Sequence, residues 1–97
     1  IVRVAGDSEA VRVANDTEMG LSSGIFSRDV ARALAIAQQL DFGCCHINGP
    51  TAHDEAHVPL GGMKASGYGR FGGQPGINDF TEVQWVTIED PAQHYPI

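Results

Sequence analysis

The sequence has 97 residues and a formal net charge of −6, with 42% hydrophobic and 7% aromatic residues. This length fits one small domain, and so short a chain buries a smaller share of its surface than a large domain does. The negative charge argues against binding to nucleic acid or to an anionic membrane surface, and the apolar runs are too short to span a bilayer. The cysteines Cys44 and Cys45 are adjacent, so a disulfide between them would be strained. We therefore expect reduced thiols in a cytoplasmic protein.

The first residues predict a strand followed by a helix. The chain opens on the apolar IVRV, which predicts a strand over residues 1–4. It has no initiator Met, and we interpret it as a piece of a longer protein. Residues 9–15 predict a short helix that starts after a turn at Gly6. The buried face of this helix is expected to carry Ala10, Val11 and Ala14.

The strongest helix signal covers residues 29–40, where apolar side chains recur at three- and four-residue steps. These apolar residues are Val30, Ala33, Leu34, Ala37 and Leu40. Either Ser27 or Asp29 can cap the start of the helix. Strands are predicted on both sides of it, over residues 21–26 and 44–48. Alternating strands and helices predict an α/β fold with a parallel sheet and right-handed crossovers.

The second half is organised by a segment dense in glycine. Residues 58–73 read VPLGGMKASGYGRFGG, which indicates backbone that turns through positive φ or approaches other groups closely. This segment overlaps the long loop that is predicted for residues 49–66. Residues 74–80 predict a short helix with Pro75 at its first position. Residues 82–88, EVQWVTI, predict a strand that is apolar on both faces and therefore needs a partner.

One motif offers a cofactor-binding alternative. Residues 67–72 match G-x-G-x-x-G, the dinucleotide fingerprint. That fingerprint functions where a buried strand turns into a helix N-terminus that faces a pyrophosphate. The preceding residues 63–66 do not predict a buried strand, so we do not assign cofactor binding to these glycines.

The histidines and cysteines offer two further alternatives. His53 and His57 lie four residues apart near His46 and could hold a metal, but a polar loop is the favoured interpretation. Cys44 shares a strand face with His46 and could be an activated nucleophile, whereas Cys45 points to the other face. Small core thiols are the favoured interpretation, since free cysteine is often simply buried.

Three charged residues near the glycine-rich segment also have two interpretations. Lys64, Arg70 and Glu82 could be catalytic groups or members of ion pairs at an interface. Because they precede a strand that needs a partner, we favour the interface interpretation.

Five stretches of the sequence resemble one known family. They are NDTEMGL at 15–21, FSRD at 26–29, IN at 47–48, PLGGMKASGYGR at 59–70 and FTEV at 80–83. In this order and spacing they resemble the C-terminal end of NAD(P)-dependent aldehyde dehydrogenases. HINGPT followed by HDE, together with SGYGRFGG, is most similar to the branch that acts on aromatic aldehydes such as salicylaldehyde, benzaldehyde or vanillin.

The resemblance implies how the chain is divided. Residues 1–81 would be the end of a catalytic domain that holds part of a parallel sheet, with a substrate-entrance loop at 49–66. Residues 82–97 would be an oligomerisation strand and a tail that joins the subunits of a homodimer or homotetramer. The alternative is a noncatalytic oligomerisation module of the same architecture.

The resemblance also implies which chemistry lies outside the chain. The nucleophilic cysteine, the general base and the domain for NAD or NADP would lie upstream, so this chain would hold no catalytic, cofactor or metal residue and would be inactive alone. The entrance would be lined by Thr51, His53 and Leu60, and the subunit interface would hold ion pairs of Arg70 and Glu82. Phe71 departs from the family pattern, because many relatives have a glutamate there that assists proton transfer.

Overall fold

A computed structural model describes residues 1–92 and 94 of the chain. The fold is mixed α/β, as the sequence predicts. In chain order the elements are α1 (Asp7–Asn15), β1 (Met19–Gly20), β2 (Ser22–Ile25), α2 (Val30–Ala37), β3 (Cys44–Ile47), β4 (Met63–Lys64) and α3 (Gly73–Asp79). None of the helices in this part of the chain is long and apolar enough to cross a membrane.

The centre of the fold is a β-α-β unit made of β2, α2 and β3. The two strands pair in parallel, from Ser22 opposite Cys44 to Ile25 opposite Ile47. Beyond the last pair, the Asn48 amide donates to the Ile25 carbonyl at 2.8 Å. Helix α2 connects the strands and packs against β3. The predicted parallel pairing is therefore confirmed.

Helix α2 begins where the sequence places a cap. The Asp29 carboxylate accepts a hydrogen bond from the Arg32 amide at 2.9 Å, which satisfies one of the free N–H groups at the helix start. Ser27 contributes as well, because its hydroxyl oxygen accepts from the Asp29 amide at 3.1 Å. The helix ends at Ala37, three residues before the predicted end. There the chain tightens into a turn in which the Leu40 amide donates to the Ala37 carbonyl.

A second, antiparallel sheet joins the start of the chain to the glycine-rich segment. Met19 of β1 lies opposite Lys64 of β4, and Gly20 lies opposite Met63. Gly20 is buried, and a Cβ on it would lie 2.9 Å from the carbonyl oxygens of both Asp41 and Met63. Only glycine allows this close approach. The sequence does not predict this sheet, because two-residue strands are too short to show an alternating pattern.

The two shorter helices form close to their predicted positions. Helix α1 ends at Asn15 as predicted but begins at Asp7, two residues early. Helix α3 covers residues 73–79 rather than 74–80, which makes Pro75 its third residue and not its first. Pro75 still lies in the first turn of α3. A backbone N–H there would have no acceptor within the helix, so a proline, which lacks this N–H, is tolerated.

Two expectations for the first fifteen residues are wrong. Residues 1–4 form no strand in the described part of the chain, and Ile1 and Val2 are exposed. Helix α1 has no buried residue, and its Ala14 is exposed. An apolar strand needs a neighbour to pair with, and residues 1–92 supply none to the IVRV segment.

The chain buries little apolar surface. Ala33 of α2 is the one hydrophobic residue buried among those described, while Val30 and Leu34 on the same helix stay more than half exposed. The accessible surface is 8045 Å², whereas a compact protein of this size would expose about 5400 Å². The radius of gyration is 21.3 Å, compared with roughly 13 Å for a compact domain. Most of the apolar faces of this chain are therefore left uncovered by its own residues.

Residues 82–90 extend away from the rest of the chain without forming a strand. The strand predicted for residues 82–88 is thus wrong for the chain by itself, since nothing in the described part pairs with it. Val83, Trp85 and Ile88 are exposed to 100%, 89% and 94%. That the segment pairs with another subunit stays a prediction. Gln93 and residues 95–97 of the predicted tail lie outside the described residues.

Candidate functional site

A pocket of about 350 Å³ lies between the start of β3 and the long loop. One wall is formed by residues 43–46, and the other by residues 53–55 and 58–60 of the loop. Its volume is within the range of small-molecule sites, about 300–1,000 Å³. The lining combines the apolar side chains of Val58, Pro59 and Leu60 with histidine and carboxylate side chains.

The structure brings together two of the three residues predicted to line the substrate entrance. His53 and Leu60 both line this pocket. Thr51 lies apart from it against β2, where its carbonyl accepts a hydrogen bond from the Ser22 hydroxyl at 2.8 Å. The β2 residue Gly24 leaves room for the Thr51 methyl group, since a Cβ there would lie 3.2 Å from it.

Two imidazole rings meet at the pocket. The rings of His46 and His53 stand edge to face, with centroids 6.0 Å apart and planes at 81°. This is a favourable geometry for two aromatic rings. The Nε2 atom of His46 is buried and has no hydrogen-bond partner among the residues that the structure describes. The sequence separates these two residues by a loop, so their contact is not predictable from it.

A carboxylate bridges two histidines at the outer edge of the loop. Oε1 of Glu55 lies 3.1 Å from His53 Nε2, and Oε2 lies 3.2 Å from His57 Nε2. The three side chains are 46% to 78% exposed, so the bridge is a surface feature. No group of three or more His, Cys, Asp or Glu side chains is arranged to hold a metal ion in residues 1–92 and 94. The metal-binding alternative therefore has no geometric support there.

The two cysteines line the same pocket as small half-buried thiols. Both are free, and neither thiol is hydrogen-bonded to His46 in the part of the chain that the structure describes. Near them the Ser23 hydroxyl donates to the Cys44 carbonyl at 3.1 Å. The contacts of the described residues therefore give no support to a Cys44–His46 nucleophile.

The glycines of the G-x-G-x-x-G segment do not fit a dinucleotide. The strand before them, β4, is two exposed residues in an antiparallel sheet rather than a buried parallel strand. The Gly73 amide at the start of α3 already donates to the Ala56 carbonyl at 3.3 Å. Backbone carbonyls of residues 56–58 lie against Gly72 and Gly73, and one of them already accepts from the Gly73 amide that the motif would offer to a pyrophosphate. That NAD or NADP binds to polypeptide outside this chain stays a prediction.

Arg70 and Glu82 are not joined to each other in the described residues. The Nη1 atom of Arg70 donates to the carbonyls of Gly62 and Gly69, at 3.0 and 2.7 Å, and so closes the glycine-rich turn. Glu82 lies at the exposed start of the extended segment. Whether the two residues form ion pairs at a subunit interface stays a prediction.

Lys64 ties distant parts of the chain together. Its Nζ donates to the carbonyls of Asn15 and Thr17, at 3.0 and 3.3 Å, and lies 3.9 Å from a carboxylate oxygen of Asp41. It also lies 5.5 Å from the centre of the Phe42 ring. With these partners Lys64 holds the turn after α1 against the turn before β3. This structural role was not among the two interpretations that its sequence position offers.

Asn48 is an anchoring residue that sequence reasoning did not single out. Its side chain accepts from the Ser27 amide and donates to the Ser27 carbonyl, both at 2.9 Å, and so joins the ends of β2 and β3. Its φ of 58° is one that asparagine tolerates better than most residues. The sequence signal was present, because Asn followed by Gly49 and Pro50 is typical of a turn.

Comparison with known proteins gives a single family. The model of the aldehyde dehydrogenase family matches residues 1–86. A vanillin dehydrogenase of a Pseudomonas species is 57% identical over 97 residues, which are 100% of this chain and 20% of that protein. The crystal structure of a salicylaldehyde dehydrogenase from Pseudomonas putida complexed with salicylaldehyde is 51% identical, with a TM-score of 0.87 over 99% of this chain.

More distant relatives share the same fold. A betaine aldehyde dehydrogenase from Staphylococcus aureus in complex with NAD+ is 35% identical, with a TM-score of 0.74 over 79% of this chain and 15% of that one. The chain spans about a fifth of the length of the first relatives it matches. The match over residues 1–86 and the likeness to the solved structure at 51% identity lead to one conclusion. The chain belongs to the aldehyde dehydrogenase family.

Proposed function

We propose that this chain is the C-terminal part of an oxidoreductase that converts an aromatic aldehyde to the carboxylic acid with NAD(P)+. The observation that carries the proposal is the pocket that His53 and Leu60 both line, where the rings of His46 and His53 stand edge to face. Aromatic edges and an apolar wall suit a flat aromatic ring. The relatives named for vanillin and salicylaldehyde, both aromatic aldehydes, support this class of substrate.

The chemistry is divided between this chain and the rest of the protein. A cysteine thiolate outside the chain would attack the aldehyde carbon, hydride would pass to the nicotinamide, and water would release the acid. The residues of this chain would act earlier, by orienting the ring and by keeping water from it. Leu60 and Val58 would provide apolar contact, and His53 would provide an aromatic edge at the entrance.

The C-terminal segment would join subunits into a homodimer or homotetramer. Residues 1–81 would belong to the catalytic domain, and residues 82–97 would form the oligomerisation strand and tail. The exposure of Val83, Trp85 and Ile88 supports this division, because apolar side chains on both faces of an exposed segment favour pairing with another sheet edge. Arg70 and Glu82 would lie at the same interface.

The compartment is proposed to be the cytoplasm. Cys44 and Cys45 are both free thiols at the wall of the pocket, and thiols persist in a reducing environment.

The test is a comparison of substrates with the whole protein that contains this chain. We expect NAD(P)+-dependent oxidation of vanillin, salicylaldehyde and benzaldehyde with a kcat/KM about 10-fold or more above that of propanal, because only an aromatic ring fills the pocket. Running the assay with NAD+ and with NADP+ identifies the cofactor. A whole protein that oxidises propanal as efficiently as the aromatic aldehydes would contradict the proposed substrate class.

The open fold of this chain also favours a second candidate, a noncatalytic oligomerisation module. Its large exposed apolar surface and its extended segment suit assembly without catalysis. The same assay separates the two candidates, since a module of this kind would assemble but would turn over no aldehyde with either cofactor.

A further inference from the structure

The second half of the pocket loop rests on two consecutive glycines. A Cβ on Gly73 would lie 2.6 Å from the carbonyl oxygen of His57. One on Gly72 would lie 3.0 Å from the carbonyl oxygen of Ala56 and would clash with that of Val58. These are contacts with backbone, which cannot move aside as the end of a flexible side chain can. The carbonyl groups of residues 56–58 can therefore keep these positions only because Gly72 and Gly73 have no side chains.

A comparison with Gly67 distinguishes the effect of backbone conformation from the effect of close contacts. Gly72 and Gly73 have φ of 74° and 56°, a region that residues with a Cβ seldom adopt. Gly67, five residues earlier, has φ of 119° but no atom within 4 Å of a Cβ built on it. A substitution at Gly67 would strain the backbone without displacing a neighbour, whereas one at Gly72 or Gly73 would do both.

The glycine pair also connects the loop to the helix that leads into the C-terminal segment. Gly73 is the first residue of α3, and its amide donates to the Ala56 carbonyl at 3.3 Å. Beside the pair, Phe71 and Leu60 exchange two backbone hydrogen bonds, of 2.8 and 2.6 Å. Leu60 lines the pocket, so the backbone hydrogen bonds of Phe71 and Gly73 link the pocket wall to the start of α3.

We propose that Gly72 and Gly73 are positioning residues that hold residues 56–60 in place and so set how an aromatic aldehyde fits between this loop and β3. The substrate named in this inference rests on the proposed function, whereas the position of the loop does not. Displacing the loop would move Val58 and Leu60, which form the apolar wall, while the groups that carry out the reaction lie outside the chain. The effect is therefore expected on the KM for the aldehyde more than on kcat.

The test uses the whole protein with Gly72→Ala, Gly73→Ala and the control Gly67→Ala. We expect the first two to raise the KM for vanillin or salicylaldehyde by about 5-fold or more, since small displacements of a substrate-positioning group have large effects on rate. Gly67→Ala should change this KM by less than about 2-fold. Backbone strain should lower the thermal stability of all three variants. The KM for the cofactor should stay unchanged in all three variants, which also shows that they are folded.

Equal KM values in the Gly72, Gly73 and Gly67 variants would overturn the inference. Hydrogen exchange on the unmodified protein provides a readout that needs neither folding of the variants nor turnover. If the glycine pair holds the loop, the amides of Leu60, Phe71 and Gly73 exchange slowly, and free exchange at these amides would overturn the proposal. A whole protein that oxidises no aldehyde would refute the proposed function, and the exchange result would still decide the positioning role.

Discussion

Arg32 binds Asp7 through two parallel hydrogen bonds, from Nε to Oδ2 at 2.8 Å and from Nη2 to Oδ1 at 2.5 Å. The pair joins α1 to α2, whose other contacts leave both helices largely exposed. Hydrogen bonding from Arg32, supported by its charge and opposed by desolvation, lowers the pKa of the Asp7 carboxyl. The same contact raises the pKa of Arg32. A two-pronged contact of this kind is specific to arginine.

The Asp7–Arg32 pair makes the docking of α1 dependent on pH. Because the pKa of Asp7 is lower in the folded state, its stabilising effect is present above the unfolded value of about 3.9 and is lost as pH falls through the folded value. Asp7→Asn should speed amide exchange in α1 at pH 7, by less than about 5-fold because the pair is exposed. Below the folded pKa the variant and the unmodified whole protein should exchange alike.

The control for this prediction is Arg12→Gln. Arg12 approaches Glu9 at 3.6 Å within α1 and does not link the two helices. Its loss should leave exchange in α1 nearly unchanged at both pH values. An effect of Asp7→Asn that persists at acid pH would contradict the assignment to the ionised pair.

His53 is expected to contribute to the binding of an aromatic substrate. His53→Ala in the whole protein should raise the KM for an aromatic aldehyde by about 2- to 10-fold, the range expected for one edge-to-face ring contact. His57→Ala is the matched control, since both histidines contact Glu55 but only His53 lines the pocket beside His46. Steady-state kinetics on the two variants decides, and equal effects would show that the contact with Glu55 matters rather than the pocket.

Trp85 is expected to be important for assembly. It is 89% exposed in the extended segment, and buried tryptophans commonly dominate the energy of an interface. Trp85→Asp in the whole protein should weaken subunit association by about 30-fold or more, as measured by sedimentation over a range of concentrations. Gln84→Asp adds the same charge at the neighbouring position and should have a smaller effect. A monomeric unmodified protein would contradict the assembly role of residues 82–97.

Elements that depend on local sequence were predictable. The pattern of α2, the cap at Asp29 and the apolar strand before Asn48 determine the β-α-β unit with little help from distant residues. The glycine-dense segment was also recognisable as a place of close approach, which Gly20 and Gly72 illustrate at two sites. Such features can be read from sequence because the chain itself provides the interacting groups.

Elements whose partners are missing or distant in sequence were not predictable. Residues 1–4 and 82–88 have the composition of strands but find no neighbour in the described chain. The contact of His46 with His53 and the place of Thr51 against β2 depend on the path of an irregular loop. The Asp7–Arg32 pair joins residues 25 positions apart, and charge alone does not indicate which of several carboxylates an arginine will choose.

The central claim is that the catalytic groups lie outside this chain. The most direct measurement is the reduction of NAD(P)+ by an aromatic aldehyde, assayed side by side with the isolated 97-residue chain and with the whole protein. The account predicts turnover by the whole protein and none by the isolated chain, because the nucleophilic cysteine and the cofactor domain are proposed to lie outside these 97 residues. Turnover by the purified chain alone would contradict it.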